Sequence, residues 1–597
     1  MEERSSKDLF EQWKQGRKVY QFVYRCNCRV TDIQYRELLE LLKRHCVFQK
    51  QQGKVCFLLR KQVEELLREG VISITDALSD LIVIENYDTS SIVYVPADVI
   101  LDIGKMVYEA GYIAYCGIIV FCDDMENISD RQIVEAVSAY RKKNKQDIVF
   151  KIYDEDTFPD KDNGYEDDFK DQGLMSVKIL PDDQKISKVS IKELAKKLND
   201  SCNASGEMWL LKDNKWEEDK SYYFISHILY ENRNVSYLFD TDHPAWNNTL
   251  IPHTLVAAMF NIGRSQYEQG KIYTVVDPLV GSGTMAIEAV KYSEIAFWGG
   301  DLKKSVREDV LFNLEFFSMD HEKSEEIAYL IVHDLKKLSE EHYALLMKSL
   351  SERQRLRVAE LMNKKVVPSR SLHNFYKRFY QYVVEKNYLR HFKHKCVIIK
   401  RQFVDNLFQE LSALFFRILD MSDTLKILEN GNSVGEKQIS YVGVDYLPYY
   451  NKMQEKQTIR QSDFKVFLRD FEKHEQIVDM VITDPPYGYN TQESDEELKH
   501  FYDDLIEETV RCLKNGGQVL ISLLEKTHNG KKVSDYVKPA YVKKKFVEAA
   551  EKYDLAIVDA DEEIANLGEL YRFPFFWESK KALRRQIMRF EFAPVPE

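Results

Sequence analysis

The spacing of apolar positions changes character along the chain. In the first 150 residues β-type runs such as KVYQFVYRC and SSIVYVP alternate with helix-period stretches such as DIQYRELLELLKRH and SDRQIVEAVSAYRKKN, predicting a small α/β or α+β unit over 1–150. Residues 151–240 begin with DEDTFPDKDNGYEDDFKDQ, which has the Pro, Gly and like charges of a solvated linker, and continue with the β-type segments SVKILP, EMWLLKD and SYYFISHILYE. A third unit over 241–597 opens with HPAWNNTLIPHTLVAAMFNIGR, where Pro252 and Thr254 precede a helix-period run of Leu255, Met259 and Ile262. Strand IYTVVD, a glycine turn, helix TMAIEAVKYS, strand IAFWGGD and helix VREDVLFNLEFF follow in close succession. This pitch predicts an α/β fold, a parallel sheet with helices on both faces. From about 335 to 437 the pattern is almost wholly helical, too long for a loop, and reads as an inserted subdomain. The β/α alternation then resumes with ISYVGVD, TIRQSD and IVDMVITDPPYG and ends with LAIVDA and IMRFEF.

Composition adds limits. With 597 residues, 44% hydrophobic and 30% charged, the chain has the make-up of a folded protein of several domains. Its longest strongly apolar stretch, Tyr112 to Cys122, falls short of the ~20 residues that cross a bilayer, and the start MEERSSKDLFEQ lacks a signal peptide's pattern. A cytoplasmic protein that does not enter the membrane is expected. The nine cysteines, Cys26 and Cys28 among them, show no CxxC pairing and are expected to be reduced thiols with no metal. A net charge of -13 excludes bulk attraction to nucleic acid, so any such contact must be local. One stripe fits: from Lys364 to Arg401 eleven bases face the single acid Glu385, interleaved with Phe375, Tyr376, Phe379, Tyr380, Tyr382, Tyr388 and Phe392. Cations for phosphates beside rings for bases suit single-stranded nucleic acid, although the same pattern serves a helix pair whose rings are core.

Two turns carry the chemistry. In Asp277-Pro-Leu-Val-Gly-Ser-Gly-Thr284 an apolar strand ends on a carboxylate, and Gly281 and Gly283 let a ligand lie against main-chain amides at the helix start. The third glycine of a dinucleotide fingerprint and the lysine of a phosphate loop are missing. Asp277 suits a ligand ammonium. Asp301 ends the next strand, 18 residues beyond Gly283, the position of a ribose-binding carboxylate. Asp445, after YVGVD, competes with it, and Asp334 and Asp463 both resemble third-strand ends able to reach an adenine amine. Asp301 and Asp463 are preferred.

The second turn, Asp484-Pro485-Pro486-Tyr487-Gly488, follows the strand MVIT. Two prolines can extend neither a central strand nor a helix there, so they stiffen the loop that mounts Asp484. An exocyclic base amine is a poor nucleophile because its lone pair is delocalised. Asp484 and the Pro485 carbonyl, accepting its two hydrogens, would hold the nitrogen toward tetrahedral geometry, with Tyr487 stacking on the base.

DPLVGSGT followed by TDPPYG resembles the class I S-adenosylmethionine-dependent amino-methyltransferases, most of all the THUMP-associated enzymes that methylate guanine N2 in tRNA or rRNA. The resemblance spans about 243–597 without the insertion. It implies a Rossmann-like methyltransferase sheet, S-adenosyl-L-methionine as cofactor and RNA as substrate. It assigns the cofactor to Asp277, Gly281, Gly283 and Asp301, to which the reading of the residues themselves adds Thr284 and Asp463, and the reaction to Asp484, Pro485, Pro486 and Tyr487. Leu279-Val280 replaces the family's Phe-Cys, and the insertion lies outside the family core. Adenine-N6 DNA methyltransferases share the tetrapeptide, which leaves DNA methylation as an alternative, beside an inactive nucleic-acid-binding relative.

Overall fold

The computed structural model describes residues 6–25, 30–48, 56–69, 71–72, 81–124, 130–144, 148–152, 206–215, 220–240, 245, 250–264, 267–268, 270–364, 367–392, 400–430, 439–455, 458–473, 478–488, 494–526, 533–558, 567, 571–578 and 583–595. Two large sheets organise it. The first runs Cys56–Leu59, Leu81–Asn86, Ser90–Val95, Lys18–Tyr24, Ile113–Asp124, Ser221–Asn232, Gly206–Asn214, Ile148–Ile152. Ile148–Ile152 pairs in parallel with Gly206–Asn214, so the boundary expected near residue 150 falls inside this sheet, and the β-type segments of 206–232 complete it. The acidic run from Asp154 to Asp171 lies outside the described residues.

The second sheet contains β1 (Tyr273–Asp277), β2 (Ile295–Asp301), β3 (Ile459–Gln461), β4 (Val478–Thr483), β5 (Leu513–Lys526), β6 (Leu555–Val558), β7 (Phe575–Glu578) and β8 (Arg584–Pro594). Their order is β3-β2-β1-β4-β5-β8-β7, with β6 also on β8 and the two-residue strand Val30–Thr31 at the far edge. The pairs from β3 to β5 are parallel, while β8 is antiparallel to β5. This is a doubly wound, mostly parallel sheet, and the strand order reverses between β1 and β4, where such folds open a ligand crevice. Both faces are covered: on β1, Val275 enters one core and Val276 the other.

The N-terminal half is built into this body. Helix α1 (Ile33–His45) packs on α2 (His253–Gly263). Arg36 donates to the Tyr571 carbonyl at 2.6 Å, and the Phe576 amide donates to Asp32 at 3.0 Å. Helices α3 (Thr284–Ala289) and α4 (Val306–Phe317) follow β1 and β2.

The helical insertion begins earlier than expected, with α5 (His321–Leu338), and continues through Glu340–Ser349, Glu352–Asn363, α6 (Arg370–Phe392) and α7 (Lys400–Asn430). The apolar run that ends in IVHD is therefore helix, not strand. Ile327, Ala328, Ile331, Val332 and Leu335 are all buried at helical spacing, and Asp320 caps the start by accepting from the Lys323 amide at 2.8 Å. Asp334 consequently sits inside the insertion, where it accepts from the Tyr376 hydroxyl at 2.8 Å. The other rival is displaced too. Strand Ser440–Val442 pairs with Ser221–Asn232 of the first sheet, and Asp445 accepts from the Leu447 amide at 3.1 Å. No described helix is long and apolar enough to cross a membrane.

Candidate active site

Asp277 closes β1 and is buried. Its Oδ1 accepts from the Leu279 amide at 3.0 Å and from the Thr483 hydroxyl, the last residue of β4, at 2.9 Å. Burial pushes its carboxyl up to about 8, with the charges of Asp301 and Asp484 adding to the rise against these hydrogen bonds. The turn beyond it needs glycine twice: Gly281 has φ 54° and Gly283 φ 94°. A Cβ on Gly283 would also come within 2.6 Å of Val310 on α4. Thr284 begins α3 and is buried.

Asp301 stands at the end of β2, under that turn. Its Oδ2 accepts from the Gly281 amide at 3.0 Å and its Oδ1 from the Lys303 amide at 2.8 Å. Asp463 follows β3, the neighbour of β2, and accepts from the Lys465 amide at 2.9 Å where α8 (Phe464–Lys473) begins. The adjacent Ser462 amide donates to the Asp301 carbonyl at 2.9 Å. Asp277, Asp301, Asp463 and Asp484 thus share the carboxyl edge of four neighbouring strands, whereas Asp334 and Asp445 do not reach it.

The corner Asp484-Pro485-Pro486-Tyr487 follows β4 without regular structure, and Gly488 turns it with φ 69°. It is braced from α9 (Asp495–Cys512), whose Tyr502 hydroxyl donates to the Pro486 carbonyl at 3.1 Å. The Tyr487 hydroxyl donates to Asp484 Oδ1, and it also lies 2.9 Å from Ser522 Oγ on β5. Arg585, on β8, donates from Nε to the Tyr487 oxygen at 3.3 Å and stands 3.7 Å from Asp484 Oδ1. It also donates to the Leu250 carbonyl at 3.0 Å, joining the approach segment to the corner. Tyr487 is 6% exposed and belongs to the buried cluster that includes Leu498, Tyr502 and Val519. The expected free ring face is therefore not what is found: the apolar ring is drawn into the core while its hydroxyl meets a carboxylate and a guanidinium. Burial raises its phenol far above the ordinary value.

Three rings of the basic stripe are also core. Phe375, Tyr376 and Phe379 are buried, and two of them stack on α4, Phe375 on Phe312 at 4.5 Å and Phe379 on Phe316 at 5.9 Å. Arg378 pairs with Glu315 at 3.1 Å and Lys364 with Glu325 at 2.5 Å. These rings are core, unavailable to bases. Lys365, Lys393 and Lys395 lie outside the described residues, as do the side chains of Lys386, Tyr388, Arg390, Phe392, Lys400 and Arg401.

Sequence reading misses Thr483, Ser522 and Arg585. The local trace of Arg585 is its place just ahead of the strand run IMRFEF, next to Arg584 and Gln586. Among the described residues no group of His, Cys, Asp and Glu could hold a metal ion.

No curated protein matches the chain. Among solved structures, the chain is similar to TrmN from Thermus thermophilus at 11% identity, over 97% of this chain and 100% of that one, with a TM-score of 0.35. It is also similar to the rRNA methyltransferase AviRa from Streptomyces viridochromogenes at 14% identity, over 49% of this chain and 80% of that one, with a TM-score of 0.20. Likeness at this level carries no weight here; strand order and family match do. Residues 450–551, which hold β3, β4, the Asp484 corner and α9, match the family UPF0020, described as RMKL-like, methyltransferase domain. Over residues 450–551 the chain is therefore similar to a methyltransferase domain of the RMKL-like kind, and the protein is an enzyme of the methyltransferase class.

Proposed function

We propose that the chain transfers a methyl group from S-adenosylmethionine to an exocyclic amine of a nucleobase in RNA, guanine N2 being the substrate atom. The observation that carries the reading is the tie between Thr483 and Asp277 at 2.9 Å, which joins the DPPY corner to the glycine turn across the β1–β4 switch point. Donor and acceptor sites built on those two strand ends face one crevice.

The residues fit the cofactor. Asp277, its carboxyl driven up by burial beside two other carboxylates, suits an incoming ammonium, which would let it ionise. Asp301 and Asp463, each already fixed by backbone amides, offer oxygens to the ribose and adenine. When bound, the cofactor supplies an electrophilic methyl sulfonium. Asp484 accepts from the target amine through the carboxylate oxygen that the Tyr487 hydroxyl does not hold, with the Pro485 carbonyl as second acceptor, and Arg585 keeps the carboxylate in place from behind. Tyr487 acts here as a holder of Asp484, with its ring kept in the core, in place of the stacking role expected from the motif.

RNA is favoured over DNA by the pairing of DPLVGSGT with TDPPYG. Incubation with labelled S-adenosylmethionine, total RNA and unmethylated DNA, each from cells lacking the gene, tests this. Digestion should yield labelled N2-methylguanosine from RNA. Label confined to N6-methyladenine in DNA would replace the substrate, and absence of both transfer and cofactor binding would mark an inactive relative.

A further inference from the structure

The insertion touches the cofactor side of the site through α4, and several independent contacts converge there. On α4, Val310 supports Gly283 so closely that a Cβ would meet it at 2.6 Å, and Asn313 Nδ2 donates to the Ser282 carbonyl at 2.9 Å. Asp309 is buried, and its Oδ2 accepts from the Ser305 hydroxyl at 3.0 Å and pairs with Lys303. The Lys303 amide in turn donates to Asp301 Oδ1 at 2.8 Å. The other oxygen of Asp309 accepts at 2.7 Å from the hydroxyl of Tyr382, which belongs to α6 of the insertion. Phe375 and Phe379 of α6 stack along the same helix.

We propose that Tyr382 is a positioning residue for the cofactor: through Asp309 it holds the 302–305 loop and so the Asp301 carboxylate, making the helical insertion part of the donor site. This rests on the reading of Asp301 as a cofactor ligand. Without the Tyr382 hydroxyl, Asp309 loses the contact that fixes one of its two oxygens, and the loop it gathers gains freedom. Ordering that loop is then charged against binding, which appears as weaker cofactor affinity without a change in the groups that touch the cofactor.

The test is calorimetric titration of S-adenosylmethionine into the full chain, with thermal melting recorded for each variant. Tyr382→Phe should raise Kd about fivefold, the low end of ordinary coupling between sites. Asp309→Asn should raise it at least as much. Tyr376→Phe is the control: it removes a hydroxyl from the same helix, but one spent on Asp334 within the insertion, so Kd should stay within about twofold, inside the usual additivity error. Wild-type affinity in Tyr382→Phe or Asp309→Asn overturns the inference, as does an equal loss in Tyr376→Phe, which would signal general destabilisation. If the wild-type chain itself does not bind S-adenosylmethionine, the underlying reading of the site falls first.

Discussion

Asp277 shows what a single buried carboxylate does to a site. Its folded-state carboxyl lies near 8, against about 4 for an ordinary aspartate, because burial dominates its hydrogen bonds. Below pH 4 both folded and unfolded chains carry the proton. Between about 4 and 8 the unfolded chain releases it while the folded chain keeps it, so this residue's contribution to stability falls as pH rises, by up to ~1.4 kcal/mol per pH unit. Asp277→Asn removes that titration. Its stability relative to wild type, measured by urea denaturation, should rise steadily from pH 5 to pH 8; parallel curves would refute the assignment. Asp32 and Asp240, raised to about 6, and Asp213, raised to about 7, titrate in both proteins and cancel in the difference. The two turns were legible at this scale because an apolar strand ending on Asp before Gly-x-Gly or Pro-Pro admits few backbone solutions. The orientation of Tyr487 was not, since it is decided by Ser522 and Arg585, 35 and 98 residues further on.

Among the elements, strands flanked by a glycine turn and an amphipathic helix read correctly, giving β1, β2, β4 and β5 in their right roles. The failures are short apolar runs. IAYLIVHD can be strand or helix by periodicity alone, and only its neighbours on α7 and Glu352–Asn363 make the helical face worth burying. Of YVGVD only Tyr441 and Val442 belong to a strand, Ser440–Val442, which stops short of Asp445, and which sheet it joins is a long-range choice: it pairs with Ser221–Asn232. Asp301 stands beside the glycine turn where its rival Asp445 does not, because its strand lies beside β1 and its side chain can take the Gly281 amide. The rings of α6 are set by α4, whose Phe312 and Phe316 offer a flat apolar ridge.

Over the whole molecule, buried contacts join the N-terminal half to the C-terminal half. Arg264, fully buried after α2, donates to Glu109 at 2.7 Å and to Asn261 at 2.8 Å, pairs with Glu294 and lies 3.8 Å over the Tyr292 ring. Burial alone would raise the Glu109 carboxyl, but Arg264 and His45 hold it near 2. Removing one partner strands the other charge, so Arg264→Met should cost ~3–5 kcal/mol. Urea denaturation followed by fluorescence should show that loss in a single transition shared by both halves. A loss under ~1 kcal/mol, typical of exposed pairs, or two separate transitions would contradict the continuous core.

The central claim is that the proline-stiffened carboxylate after β4 activates the accepting amine beside the cofactor turn. Its most direct test is single-turnover methyl transfer from labelled S-adenosylmethionine to total RNA from cells lacking the gene, comparing wild type with Asp484→Ala and measuring cofactor affinity on the same preparations. The account expects transfer by Asp484→Ala to fall at least ~100-fold, as for loss of a group acting in the transition state, with affinity within about twofold of wild type. Near-normal transfer by Asp484→Ala would contradict it.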